Sequence, residues 1–160
     1  MKFTALVALI ATASAGSFPS FDSFHAHCQF ETVSDKSCAE TYSTLQGVLT
    51  SFGAPGNQDP ARGFYNKVSE VTNKTLWYTR LTSGKKYTDD MEFLFADTAN
   101  GCTITAKSQS QSLSYYDYYT NYCNMYNPLR VSGLNFSEPK TSQCKYPADV
   151  AQREAQCNAN

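Results

Sequence analysis

Polar residues that could bind a ligand are concentrated between Arg80 and Asn121. A guanidinium paired with a carboxylate, together with hydroxyls and an amide, suits recognition of a polar ligand such as a sugar or a carboxylate. The same groups could instead form a hydrogen-bonded buried network that locks a sheet to a helix. The candidates for either role are Arg80, Asp89, Ser108, Ser110, Asp117 and Asn121.

An acidic cluster, Asp89-Asp90 followed by Glu92, suggests carboxylate chemistry. Glycosidases use two carboxylates that face each other across a cleft. Adjacent residues of a strand point to opposite faces, however, so Asp89 and Asp90 would not face one another. Asp90 and Glu92 share a face, and we expect Asp90 to pair with Lys107 in an ordinary surface ion pair. Carboxylate hydrolysis is therefore the third-ranked hypothesis.

His25 and His27 are the chain's only histidines. Alternating histidines on an extended segment can hold copper or zinc, but two ligands alone do not make a typical protein metal site. No Ser-His-Asp arrangement is indicated, and oxidised cysteines could not serve in a Cys-His pair. We therefore expect no catalytic residue, no metal and no cofactor, and the sequence favours a protein that is not an enzyme.

Tyrosines form the second candidate surface, since six of the chain's eleven fall between positions 115 and 126. Four recur at helical spacing, which predicts a helix with a buried tyrosine stripe and with Asp117 capping its start. The remaining two, Tyr116 and Tyr118, are predicted to be exposed contacts for sugar rings or for a second copy of the chain. The stripe consists of Tyr115, Tyr119, Tyr122 and Tyr126.

Two further elements precede this region. Residues 39–52 have apolar side chains at helical spacing, which predicts an amphipathic helix. Residues 53–63 contain three glycines and two prolines, which predicts a loop, and we expect it to be a mobile insertion.

Three alternating segments, 76–82, 87–95 and 102–110, predict an antiparallel meander. Placing Tyr78 opposite Met91, and residue 95 opposite residue 102, puts every apolar side chain on one face. The same register places Asp89 opposite residues 80 and 108, so that the buried face becomes polar at one end. The predicted fold is α+β: an antiparallel meander of at least three strands packed against one or two helices and stapled by disulfides.

Part of this region resembles bacterial and algal proteins of the uncharacterised family known as domain of unknown function 1499. The resemblance covers residues 76–129. Both arginines of the family's R-S-x-S-R pattern are replaced here, by Lys107 and Gln111. The family has no established activity, so the resemblance implies a fold and a position for the polar cluster. The matching motifs are TDDMEF at 88–93, KSQSQ at 107–111, and SYYD at 114–117 with Asn121.

The N-terminus predicts secretion. Residues 3–13 are apolar or small, follow Lys2 and are too few to span a bilayer, and Ala13-Ser14-Ala15 is an A-x-A cleavage pattern. Residues 1–15 are therefore predicted to be a signal peptide. Sequons at Asn73 and Asn135 predict N-glycosylation at the surface.

Cysteine usage agrees with an extracellular location. An even count of six cysteines behind a signal peptide predicts three disulfides. Sequence alone does not choose among the pairings. We expect the short-range set, which is Cys28–Cys38, Cys102–Cys123 and Cys144–Cys157.

Charge and length complete the functional expectation. The net charge is −1 without a basic run, which argues against nucleic acid and against an anionic membrane surface as partners. After the signal peptide, we expect one globular domain at 16–130 and an irregular, disulfide-pinned segment at 131–160. The leading hypothesis is a secreted non-enzymatic protein that acts by binding or by self-assembly in a surface coat, matrix or filament. The alternative is a small-ligand or glycan-binding module with a polar pocket around Arg80, Asp89 and Ser108.

Overall fold

A computed structural model describes residues 16–84 and 86–159, and the predicted signal peptide at 1–15 lies outside the described residues. Within this part of the chain there are six strands and three helices. In chain order they are β1 (His27–Ser34), α1 (Cys38–Phe52), β2 (Phe64–Val71), β3 (Thr75–Leu81), β4 (Thr88–Thr98), β5 (Gly101–Ser110), α2 (Thr120–Val131), β6 (Lys140–Ser142) and α3 (Arg153–Ala159).

In the described residues the strands form a single sheet in the order β2-β3-β4-β5-β1-β6, and every neighbouring pair is antiparallel. This arrangement confirms the predicted α+β fold with a central β3-β4-β5 meander. Strands β1, β2 and β6 were not predicted. In β1 the buried positions include Cys28, Thr32 and Ser34, so the alternation is not visible as a hydrophobic pattern. Strand β2 is a mostly exposed edge strand with a bulge between Lys67 and Ser69.

The β3–β4 register is the predicted one. Tyr78 lies opposite Met91, and Arg80 lies opposite Asp89. The backbone N–H of Thr82, the last residue of the predicted first segment, donates to the carbonyl oxygen of Tyr87, the first residue of the second, at 3.0 Å, so the connection closes where the sequence predicted. The guanidinium and the carboxylate are therefore placed side by side on the buried face.

The predicted β4–β5 register is wrong by two residues. Phe95 lies opposite Ile104 rather than opposite Cys102, because Thr98 and Gly101 close a tight two-residue turn. A shift by an even number keeps every side chain on its predicted face. The partners nevertheless change, and Asp89 lies opposite Ser110 rather than Ser108.

The same shift corrects the predicted ion pair between Asp90 and Lys107. Lys107 lies opposite Glu92, and its Nζ is 3.1 Å from a carboxylate oxygen of that residue. Asp90 lies opposite Gln109 and accepts hydrogen bonds from Trp77 Nε1 and Gln111 Nε2, each at 3.1 Å. Asp90 is thus held by neutral donors.

Helix α1 confirms the predicted amphipathic helix. Ser37 caps its start, with the side-chain oxygen accepting from Glu40 N at 3.2 Å. Its apolar stripe packs with that of α2 on one face of the sheet, where the core is formed. The fully buried core side chains include Phe30, Leu45, Leu49, Phe93, Ile104 and Met125.

All six cysteines are paired, as predicted, but the expected pairing is wrong in all three cases. Cys28 lies near the start of β1 and Cys38 begins α1, beyond the other end of that strand; because a strand rises about 3.3 Å per residue, the two cysteines are too far apart to bond. Ser34, near the start of α1, lies opposite Cys102, so Cys38 meets Cys102 instead. The three observed disulfides are Cys28–Cys144, Cys38–Cys102 and Cys123–Cys157.

The C-terminal segment 131–160, expected to be irregular, carries β6 and α3 in its described residues. Strand β6 pairs with β1, and Cys157 of α3 is bonded to Cys123 of α2. Of the helices in the described ranges, none combines the length and the apolar character needed to cross a bilayer.

Both sequons are accessible. Asn73 is partly exposed in the turn between β2 and β3, with a left-handed φ of 58°. Asn135 is exposed, and its amide donates to Asp35 Oδ2 at 3.1 Å.

Candidate functional site

A row of asparagines on α2 organises the polar end of the core. Asn121, Asn124 and Asn127 recur every third residue and are all buried. This spacing places their amides along one face of the helix, where Asn121 and Asn124 contact β4 and β5 and Asn127 contacts the loop at 53–63. Amides carry both donors and acceptors, so each can connect groups of opposite hydrogen-bonding type.

Asn124 stands at the centre of this buried network. Its Oδ1 accepts from Arg80 Nη1 at 2.9 Å. Its Nδ2 donates to Asp89 Oδ2 at 2.9 Å and lies 3.0 Å from Ser108 Oγ. One amide therefore joins the guanidinium, the carboxylate and the hydroxyl that were predicted to lie together.

Asn121 extends the network toward the surface. Its Oδ1 accepts from Ser108 Oγ at 2.7 Å. Its Nδ2 donates to Asp117 Oδ2 at 2.9 Å and to the Ala26 carbonyl oxygen at 3.1 Å, and lies 3.3 Å from Ser110 Oγ. The network thus reaches from β5 to the segment that precedes α2.

The opposite end of the network includes Asp59, from the loop at 53–63. Asp59 Oδ2 lies 3.6 Å from Arg80 Nη2 and accepts from the Gly63 backbone N–H at 2.7 Å. Asn127 Nδ2 donates to Asp59 Oδ1 at 3.3 Å. The loop, expected to be a mobile insertion, is therefore anchored in the core by a buried carboxylate.

All six predicted candidate residues belong to this network and are buried. Arg80, Ser108 and Asn121 lie behind the surface and connect the sheet to α2. The other three also line an open cleft between the ends of β4 and β5 and the segment before α2, with a volume of about 390 Å³. Those three residues are Asp89, Ser110 and Asp117.

Aromatic side chains form the rim of this cleft. Tyr116 and Tyr118 are 62% and 71% exposed, and Tyr87 and Tyr115 contribute two further rings that are 55% and 59% exposed. The rings of Tyr116 and Tyr118 lie 6.5 Å apart between centroids, and Tyr115 packs edge-on against Tyr116 at 5.0 Å. The cleft therefore has carboxylates at its floor and tyrosine rings at its edge.

The predicted tyrosine stripe is only partly correct. Helix α2 begins at Thr120, so Tyr115 lies outside it and is exposed. Tyr122 is buried and Tyr126 packs against the core. Two consecutive left-handed residues, Tyr118 and Tyr119, with φ of 48° and 73°, delay the start of the helix.

Asp117 occupies an unusual position at the floor of the cleft. It is 8% exposed, and its Oδ2 accepts from Asn121 N at 3.1 Å, which satisfies an amide in the first turn of α2. Its other oxygen, Oδ1, is buried and has no hydrogen-bond partner of ordinary geometry in the described part of the chain. Burial raises the pKa of this carboxyl above 3.8, although the hydrogen bonds from Asn121 act in the opposite direction.

Asp89 is more deeply buried than Asp117. Burial raises its pKa, and the neighbouring Asp117 charge adds to the effect. Hydrogen bonds from Asn124 and Ser110 and the charge of Arg80 oppose this rise. The charges of Asp89 and Asp117 thus affect each other. Asp89, the more deeply buried of the two, is stabilised by Asn124, Ser110 and Arg80.

Three network residues were not predicted. Asn124 and Asn127 could have been found from the Asn-x-x-Asn-x-x-Asn spacing, which places three amides on one helix face. Asp59 had no comparable signal, because it lies in a glycine- and proline-containing loop.

The histidines lie apart from the cleft lining. His25 Nδ1 lies 2.8 Å from Asp22 Oδ2, and His27 Nδ1 lies 2.9 Å from the His25 carbonyl oxygen. Within residues 16–84 and 86–159, no group of three or more His, Cys, Asp or Glu side chains is placed to hold a metal.

Comparison with known proteins gives a fold likeness only. No family model and no curated protein matches the chain. Among solved structures, the di-domain ARO/CYC StfQ from the steffimycin biosynthetic pathway is similar at 10% identity and a TM-score of 0.50, over 69% of this chain and 50% of that chain. A putative uncharacterised protein from Rhizobium leguminosarum is similar at 11% identity and a TM-score of 0.48, over 68% of this chain and 91% of that one. This chain therefore covers half the length of the ARO/CYC protein.

Proposed function

We propose that this protein is a secreted, non-enzymatic binding protein that takes up a small polar ligand in the tyrosine-rimmed cleft. The observation that carries the proposal is the composition of that cleft. Its floor presents Asp89, Ser110 and Asp117, and its edge presents four exposed tyrosine rings. Concave sites that combine aromatic walls with a few fixed polar groups are typical of ligand recognition.

The surrounding scaffold supports binding, because the polar floor is held from behind. Asn121 and Asn124 connect the floor residues to both α2 and β5. A site whose polar groups are already positioned loses less conformational entropy when a ligand binds. The three disulfides in the described residues indicate an oxidising compartment, which agrees with secretion.

The geometry favours ligand binding over self-assembly. An assembly surface would be expected to present its aromatic rings on an open face. The exposed rings of Tyr116 and Tyr118 instead border a cleft of about 390 Å³, which is of small-ligand size.

Native mass spectrometry of the secreted, deglycosylated protein tests this proposal. We expect a monomer that carries a reproducible small-molecule adduct, and loss of that adduct in Tyr118→Ala and Asp117→Asn. The matched control is Asp97→Asn, since Asp97 is an exposed carboxylate on β4 outside the cleft. A ladder of oligomers without added mass, altered by Tyr118→Ala, would instead assign the protein to the self-assembly class.

A carboxylate hydrolase is the second candidate, and one observation favours it. Burial raises the pKa of both Asp89 and Asp117, and a carboxyl that keeps its proton can act as a general acid. Turnover of a panel of aryl glycosides by the wild type, abolished in Asp117→Asn while the fold is intact, would favour this function. Equal background rates in the wild type and in Asp117→Asn would exclude hydrolase activity on those substrates.

A further inference from the structure

The cleft has an excess of acidic groups over basic ones. Its lining contains Asp89 and Asp117 but neither lysine nor arginine among the described residues. Arg80 lies behind Asp89, opposite it in the β3–β4 register, but it is also paired with Asp59. Arg80 therefore serves both Asp59 and Asp89, and no basic residue of the described cleft lining is paired with Asp117.

The rim of the cleft attracts cations by a second mechanism. Tyrosine rings carry a negative face that binds ammonium groups. An example is already present, since Lys145 Nζ lies 3.0 Å from the centroid of the Tyr115 ring. Tyr116 and Tyr118, which are more exposed than Tyr115, offer further ring faces beside the same carboxylates.

Asp117 supplies an acceptor that lacks a donor. The residue is 8% exposed, and its Oδ1 is buried with no partner of ordinary hydrogen-bond geometry among the described residues, although the backbone N–H groups of Tyr119 and Asp117 are near enough to lower the pKa of this carboxyl. Buried polar atoms nearly always have a partner, so an acceptor left open beside a cleft points to a donor on a ligand. A neutral sugar could supply that donor, but it would leave the excess negative charge uncompensated.

We infer that the ligand is an organic cation whose protonated amine binds between the Asp117 carboxylate and the tyrosine rim. This inference rests on the proposed function of the cleft. The N–H groups of a primary ammonium supply the donor that Oδ1 lacks, and its positive charge balances the acidic floor. The adjoining alkyl chain packs against the rings of Tyr116 and Tyr118.

An NMR titration with n-butylammonium chloride tests the inference, with 1-butanol as the neutral probe of equal chain length. Ionic strength is held constant. We expect saturable shifts of the backbone amides at 87–89 and 110–120 with butylammonium and at least about tenfold weaker binding of butanol. Equal responses to the two probes would overturn the inference.

Matched variants separate the cleft from general electrostatic attraction. We expect Asp117→Asn to weaken butylammonium binding about tenfold or more, because it removes the charge and preserves the shape. Asp97→Asn changes the net charge by the same amount at an exposed site on β4, so it should bind as the wild type does. An equal loss in both variants would show that attraction is not site-specific and would contradict the inference.

The aromatic contribution has its own variant, which does not depend on the buried network. Tyr116→Leu removes an exposed ring, and its control is Phe64→Leu on β2, which removes an exposed ring outside the cleft. We expect a several-fold loss of affinity in the first and none in the second. Unchanged affinity in Tyr116→Leu would show that the tyrosine rim does not contribute to binding.

Two more probes distinguish this inference from the proposed function. If methyl glycosides shift the cleft amides and butylammonium does not, the cleft still binds ligands and the cation assignment is wrong. If neither class of probe shifts those amides, the cation assignment fails and the proposed binding function loses its support. Tighter binding of Nα-acetyl-lysine N-methylamide than of butylammonium would identify a lysine side chain, rather than a free amine, as the source of the ammonium.

Discussion

Three aspartates of this chain show how environment differentiates identical side chains. Asp97 is exposed and forms a surface ion pair with Lys74 at 3.7 Å. Asp89 is buried and supported by Asn124 and Arg80, whereas Asp117 is buried with one carboxylate oxygen open. Exposed ion pairs contribute little to stability, while removal of one member of a buried charged network leaves the others uncompensated.

We predict that Asp89→Ala lowers the free energy of unfolding by about 3–5 kcal/mol, because Arg80 stays buried after losing this carboxylate. Urea denaturation measures the change. Asp97→Ala, on the same strand, is the control and should cost less than about 1 kcal/mol. Similar losses in the two variants would show that the buried network does not stabilise the fold.

The pKa of Asp117 leads to a prediction about pH. Its pKa is raised above the ordinary value of 3.8, so the native state holds the proton more tightly than the unfolded chain does. This group's contribution to stability is therefore present at low pH and is lost as pH rises from about 4 through the raised value. Asp117→Asn lacks this titration.

We therefore expect the Tm of the wild type, relative to that of Asp117→Asn, to fall as the pH is increased over this range. Thermal denaturation monitored by circular dichroism from pH 3 to pH 7 measures the difference. A difference that rises with pH would show that hydrogen bonds from Asn121 outweigh burial at this carboxyl.

The elements differ in how far the sequence determines them. The β3–β4 register could be predicted because the two patterned segments meet at Thr82 and Tyr87, the residues whose backbone hydrogen bond closes the connection. The β4–β5 register could not, because both the predicted longer turn and the observed two-residue turn keep the apolar residues on one face. Strand β1 could not be recognised from a hydrophobic pattern, because its buried positions include Cys28, Thr32 and Ser34. These residues owe their burial to neighbours distant in sequence.

The candidate site also combines contacts that the sequence predicts with contacts that it does not. The pairing of Arg80 with Asp89 follows from strand parity and could be predicted. Asp59 enters the network only because a loop folds back on the sheet, whereas Asn124 could have been found from the three-residue spacing of the asparagines on α2. The cleft itself depends on the left-handed conformations of Tyr118 and Tyr119, which no propensity of tyrosine favours.

Glycine positions provide a prediction at the level of single elements. Gly101 closes the β4–β5 hairpin with a φ of 139°, and a Cβ there would lie 2.0 Å from the Ser34 backbone oxygen. Gly101→Ala should therefore lower the Tm by many degrees, because the end of β1 must move.

Gly47, in α1, has open space around its Cβ position, and Gly47→Ala should raise stability by up to about 1 kcal/mol. Thermal denaturation of both variants gives the comparison, and a neutral Gly101→Ala would mean that β1 tolerates the displacement.

At the scale of the molecule, the disulfides connect distant parts of the chain. Cys28–Cys144 spans 116 residues and joins β1 to the segment after β6, whereas Cys123–Cys157 spans 34 residues and joins α2 to α3. Cross-links across longer loops restrict the unfolded chain more strongly. The short-range pairing expected from sequence fails because the sheet brings together segments that the chain order separates.

We predict that removing Cys28–Cys144 costs about 1 kcal/mol more than removing Cys123–Cys157, from the difference in loop entropy. The double alanine variants are compared by urea denaturation under oxidising conditions. A larger cost for the shorter loop would indicate that the docking of α3, rather than chain entropy, determines the effect.

The overlap of these cross-links has a consequence for the response to proteolysis. Cys28–Cys144 and Cys123–Cys157 overlap in sequence, so every peptide bond between Cys28 and Cys157 is bridged by at least one disulfide. A protease that cuts once anywhere in this interval, including the loop at 53–63, leaves the two fragments covalently joined. The nicked protein would keep its electrophoretic mobility until a reductant is added, and both walls of the cleft would remain attached to each other.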